Sequence, residues 1–129
     1  MDKRVVHTDK VPPARVPLSQ AIRTGGWVFA SGQLGMDPRT GRLVEGGIKA
    51  ETRQVCENLK AALEAAGGTL DDVCRVDVYL RNIGDRERVN KVRRQFWRGT
   101  PPASTLVEVS KLASPEFLVE ISAIALVSP

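Results

Sequence analysis

The chain is expected to adopt an α+β fold, with six strands and two helices in the order β-β-β-α-β-α-β-β. Three observations carry that expectation. Ile48, Val55, Leu59, Ala62, Leu63 and Ala66 recur at helical spacing. Segment 73–81 alternates apolar and polar residues at period two. Segment 117–127 is largely apolar on both faces, the pattern of a central strand covered on both sides.

The elements follow in order. Segment 4–8 reads as a short first strand. Prolines 12, 13 and 17 make segment 11–17 a stiff loop, because proline fixes φ and bars helix. Segments 19–23 and 26–31 read as two strands joined at Thr24-Gly25-Gly26, which is hairpin chemistry. On the second of these strands Trp27, Phe29 and Ser31 share one face, and Val28 and Ala30 the other. Asp37-Pro38-Arg39-Thr40-Gly41 is a turn. A helix over 48–66 ends at Gly67-Gly68, with Cys56 on its apolar side and Glu51, Arg53, Glu57, Lys60 and Glu64 mostly off the stripe.

In segment 73–81, Cys74, Val76, Val78 and Leu80 take the apolar face. Asp85 is placed to cap a second helix running to about Trp97, with Val89, Val92 and Phe96 buried. Arg93, Arg94 and Arg98 crowd its C-terminal end, where the helix dipole favours cations. Segments 105–109 and 117–127 supply the last strands. Two helices cover one face of such a sheet. The other face stays apolar with no helix left for it, and a symmetric subunit interface is the simple solution.

The 129 residues suffice for one compact domain, expected to span 1–129. No segment has the length and apolarity of a membrane span. The first residues lack the apolar stretch of a signal peptide, so a cytoplasmic location is expected. Cys56 and Cys74 are too few for a disulfide scaffold and read as core thiols. His7 is the single histidine, which argues against a His-rich metal site and a Ser-His-Asp triad; no metal and no cofactor are expected. The net charge of +4 permits polyanion binding, but the basic residues are dispersed and aromatic residues are sparse, so nucleic acid is not the expected partner.

Glu120 is the leading chemical candidate. Leu118, Ser122, Ile124 and Leu126 share its face, and a partly desolvated carboxylate there suits proton transfer near neutral pH. Ser31-Gly32-Gln33 closes the third strand, where Gly32 allows close approach by a ligand or backbone. Asn90 alone reads as a surface residue.

The order of several segments adds to this. S-Q-A-I at 19–22, W-V-F-A-S-G-Q-L-G-M-D-P-x-T-G at 27–41 and E-N-L-x-A-x-L-E-A-A-G at 57–67 are followed by V-x-V-Y-L, V-N, P-P-A-S-T and V-E-I-x-A-I-A. Taken together, from Pro17 to Leu126, the chain resembles the YjgF/RidA family of reactive-intermediate deaminases. The resemblance implies a chorismate-mutase-like fold: a six-stranded mixed sheet with two helices on one face, assembled as a homotrimer around a central barrel, with clefts between subunits. It also implies hydrolysis of a small reactive imine or enamine. In that reading Glu120 activates water, and Leu18, Ser31, Gly32, Gln33, Asn90, Ser104 and Thr105 line the cleft.

Two positions depart from the family pattern. P-A-R-[ST] becomes Pro102-Ala103-Ser104-Thr105, so Ser104 stands where an arginine grips the substrate carboxylate, and Leu18 replaces an aromatic hydroxyl. A divergent subgroup is therefore expected, with a small ligand less anionic than a 2-imino acid, unless Arg15 or an interface arginine restores anion binding. The alternatives are a small-molecule-binding or regulatory trimer without turnover and, less favoured, an RNA-directed translation inhibitor or endoribonuclease.

Overall fold

The computed structural model describes residues 2–127. Among these residues eight strands and two α-helices follow in the order β1 Lys3–Val6, β2 Ala21–Thr24, β3 Trp27–Gln33, β4 Met36–Asp37, β5 Arg42–Leu43, α1 Gly47–Ala65, β6 Val73–Leu80, α2 Arg86–Phe96, β7 Ala103–Glu108 and β8 Val119–Leu126. Six of the strands form one mixed sheet in the order β1-β2-β3-β8-β6-β7. Every neighbouring pair is antiparallel except β6–β7. That parallel pair is bridged by α2, the kind of crossover that parallel strands need. The expected α+β architecture is thus present.

β8 is central, as its two-sided apolar pattern predicted. Val119, Ile121, Ala123 and Ala125 are buried in a core shared with Val28 and Ala30 of β3, Val76, Val78 and Leu80 of β6, and Val55, Leu59 and Leu63 of α1. The second face carries no helix, as expected of a sheet whose two helices pack on one side. Both helices lie on the same side, so Glu120, Ser122 and Ile124 are half-exposed and Leu126 is exposed. Trp27 and Phe29 are also exposed on that helix-free face.

Helix α1 ends where Gly67 adopts φ 92° and the Gly68 N–H closes on the Leu63 carbonyl at 2.8 Å. Two other expectations fail for local reasons. A register shift between Val73 and Arg75 takes Cys74 out of the alternation, so Val73 is buried and Cys74 is exposed. Asp85 makes no cap bond, because a 3₁₀ turn over Ile83–Asp85 is already helical there. Asn82 caps that turn through Gly84 N–H at 2.9 Å, and Asp85 pairs with Arg88 at 3.0 Å. Cys56 is buried as expected.

Boundaries shift by a few residues. β1 stops at Val6, and the Thr8 N–H beyond it bonds the Gln20 side chain at 2.8 Å. β7 starts at Ala103, opposite Arg75. The 37–41 turn carries the additional hairpin β4–β5, closed by Gly41 N–H on the Asp37 carbonyl at 2.8 Å. Among the described residues no helix is long and apolar enough to cross a membrane.

Candidate functional site

Glu120 projects from β8 onto the helix-free face, opposite Tyr79 of β6. On its other side β3 bulges. Ala30 pairs with Ala123 and Gln33 with Ile121, so Ser31 and Gly32 together stand against Ser122. The bulge brings Gly32 under the Glu120 carboxyl, and a Cβ at position 32 would overlap Glu120 Oε2. Glycine here makes room for a carboxylate. Burial raises the proton affinity of Glu120 above that of an ordinary carboxyl, and it forms no ion pair among the described residues.

The bulge opens into a recess of about 450 Å³ whose lining includes Arg15, Leu18, Ser31, Gly32, Gln33 and Phe117. The Ser31 N–H donates to the Gln20 carbonyl at 3.0 Å, and its hydroxyl donates to the Ser19 carbonyl at 2.5 Å. Buried Gln20 holds the proline loop in place: its amide donates to the carbonyls of Thr8, Val11 and Pro12 at 3.1–3.2 Å. Asn58 of α1 does the same for the segment after β3, donating to the Leu34 and Met36 carbonyls at 3.1 and 3.0 Å. Arg15 is exposed and borders this recess rather than turning away from it.

Glu51 supports the start of β8. Both its carboxylate oxygens accept the Leu118 N–H at 3.1 Å, two residues before Glu120. It is 2 % exposed, which corrects the expectation that it lies off the buried stripe. Gly35 packs against it so closely that a Cβ there would overlap Glu51 Cγ. Burial pushes the Glu51 carboxyl up to about 7.

Asn90 and Ser104 fall elsewhere. Ser104 pairs with fully buried Val76 and so faces the helix side of edge strand β7. There Arg93 of α2 joins the two residues: its Nη1 donates to Asn90 Oδ1 at 3.1 Å and its Nη2 to Ser104 Oγ at 2.8 Å. A separate recess of about 300 Å³ adjoins them. Thr105 is on the opposite face, where its hydroxyl accepts from Arg75 at 2.8 Å. One chain therefore gathers Leu18, Ser31, Gly32, Gln33 and Glu120, and holds Asn90 with Ser104 apart from them.

Sequence reasoning missed Glu51, Asn58 and Arg93. For Arg93 there was a usable signal, since Asn90 and Arg93 are three residues apart on one helix and so neighbours on its surface.

The endoribonuclease L-PSP family profile matches residues 8–127. A RutC family protein of Pyrococcus horikoshii is 46% identical over 123 residues, covering 95% of this chain and 97% of the relative. Human 2-iminobutanoate/2-iminopropanoate deaminase is 36% identical, with 98% and 92% covered. Among solved structures, the Rid-family protein YyfA of Yersinia pestis superposes with a TM-score of 0.93 at 42% identity, with 98% and 100% covered. E. coli TdcF with bound serine superposes with a TM-score of 0.92 at 31% identity, with 97% and 99% covered. Sequence and fold agree across nearly the whole chain, which belongs to the endoribonuclease L-PSP family, that of the YjgF/RidA proteins.

Proposed function

We propose that this protein is a hydrolytic deaminase of a small imine or enamine, with Glu120 handling water in a cleft completed between copies of a homotrimer. The observation that carries the reading is the Glu120 carboxyl itself: half-buried, seated over Gly32, without an ion-pair partner among the described residues and with raised proton affinity. A carboxyl in that setting exchanges protons closer to neutral pH than an ordinary one. Relatives named imine deaminases support the substrate class.

The chemistry asks little else of the protein. An enamine first tautomerises to the imine, whose carbon is electrophilic and whose nitrogen is basic. Water adds to that carbon while Glu120 accepts a proton from the attacking oxygen. That proton passes to nitrogen, giving a carbinolamine. The carbinol hydroxyl proton then also moves to nitrogen as the C–N bond breaks with its electron pair on nitrogen, so ammonia leaves as the carbonyl forms. One water is consumed and no electrons are exchanged.

The trimer is supported by the exposed Trp27, Phe29 and Leu126 on the helix-free face. It is also supported by the separation of the Asn90–Ser104 pair from Glu120, because a second copy can present one group to the other. Cytoplasmic imine chemistry is the setting this reading implies.

The test is ammonia release from freshly generated 2-iminobutanoate and from an uncharged imine, by the wild type and by Glu120→Gln. The expected loss on substitution is about 10²–10⁴-fold in rate. Ligand-dependent thermal stabilisation with no ammonia from any imine would replace this reading with a binding protein.

A further inference from the structure

Among the described residues Arg93 is a cation without a counter-charge. Its two hydrogen-bond acceptors, Asn90 Oδ1 and Ser104 Oγ, are neutral. They occupy two of the five guanidinium N–H groups and leave three. Among the described residues Arg93 forms no ion pair. The nearby Cys56 thiol supplies none either, because burial pushes it up to about 12 and keeps it neutral. Half-burying a guanidinium with no anion beside it is unfavourable. The adjoining recess of about 300 Å³ is bounded by Asn90, Arg93, Arg94, Pro101, Pro102 and Ser104, and among the described residues no acidic side chain lines it. That is room for a small acid.

We propose that Arg93 binds the substrate carboxylate in this recess, a guanidinium delivered from α2 in place of the one that the family pattern sets on the strand at position 104. The proposal rests on the imine reading for the substrate's identity, and it narrows that substrate to a 2-imino acid. The expectation of a less anionic ligand came from Ser104 and Leu18 without regard to their neighbours in space. In the structure the Ser104 hydroxyl orients a different arginine, and together with Asn90 it fixes the plane of the guanidinium fork. A fixed fork with free N–H groups suits bidentate recognition of a carboxylate.

The experiment is titration calorimetry with two probes of one skeleton: 2-oxobutanoate, the oxo acid left by hydrolysis of 2-iminobutanoate, and butanone, which lacks the carboxylate. The wild type is expected to favour the oxo acid by about 100-fold, and Arg93→Gln to lose that preference while its affinity for butanone stays unchanged. Arg93→Lys keeps the charge without the fork and should bind the oxo acid about 10-fold more weakly than wild type. Arg98→Gln should change it by less than about 3-fold, as expected for an exposed charge outside the recess. Adding Ser104→Arg to Arg93→Ala should restore oxo-acid binding.

Far-UV circular dichroism checks that each variant is folded. If Arg93→Gln is not, Arg93→Lys and the restoring pair decide the matter. Oxo-acid affinity that is indifferent to Arg93, or absent from the wild type, overturns the proposal. Ammonia release is scored separately. Arg93-dependent binding without ammonia from any imine removes the deaminase reading and leaves the anion site standing. Ammonia release with Arg93-independent binding does the reverse.

Discussion

Glu51→Gln should stabilise the protein at alkaline pH and do little in acid. Burial raises the Glu51 carboxyl from 4.5 to about 7 in the fold. In the unfolded chain it ionises near its ordinary value. Below pH 4.5 both states hold the proton, and the group does not change stability with pH. Between pH 4.5 and 7 the unfolded chain has released the proton and the folded one has not, so stability falls as pH rises. Above pH 7 the loss is complete, about 3 kcal/mol at roughly 1.4 kcal/mol per unit. Glutamine cannot ionise, and its carbonyl oxygen can still accept the Leu118 N–H that Glu51 takes at 3.1 Å. The variant should therefore exceed the wild type by about 1 kcal/mol at pH 5 and about 3 kcal/mol at pH 8.5. Urea denaturation at matched protein concentration measures the difference, which keeps any contribution of assembly constant. A gap that does not change with pH, or one that shrinks towards alkali, would refute the argument.

Other outcomes follow from the same geometry. Gly32→Ala should displace the mobile end of Glu120 and lower deamination at least about 100-fold, with Tm changed by only a few degrees; near-normal turnover would show that the carboxyl position is not critical. In the native protein Cys74 should react with a thiol reagent while Cys56 stays protected, and Cys74→Ser should abolish the fast phase. Phe29→Asp puts a charge on the helix-free face and should yield monomers by light scattering. A wild type that is itself monomeric would undo the trimer.

Local patterns were legible and through-space partnerships were not. The stripe of α1 and the alternation of β8 and β6 repeat within one element, so sequence alone located them. Ser31-Gly32 was legible as a place for close approach, but the bulge that sets Gly32 under Glu120 depends on the register with β8. Cys74 was misplaced because one irregular residue breaks period two without changing composition. Glu51 reads as an ordinary helix-surface acid, and only the incoming Leu118 N–H and the glycine packed against it explain its burial. Arg93 was read as an answer to the helix dipole. Its bond to Ser104 spans two elements, and no periodicity encodes that.

A single chain sets Ser104 on the helix side of the sheet and Glu120 on the other. In the proposed trimer, then, the carboxyl and the guanidinium that meet one ligand belong to different copies. Each catalytic unit is heritable in halves. Subunits lacking Glu120 and subunits lacking Arg93 would be inactive alone, yet after unfolding and random reassembly in equal amounts about a quarter of the interfaces would carry both intact halves. Two lesions in the same half would never complement. Loss of function would thus be a property of the mixture of chains in a cell rather than of any one chain.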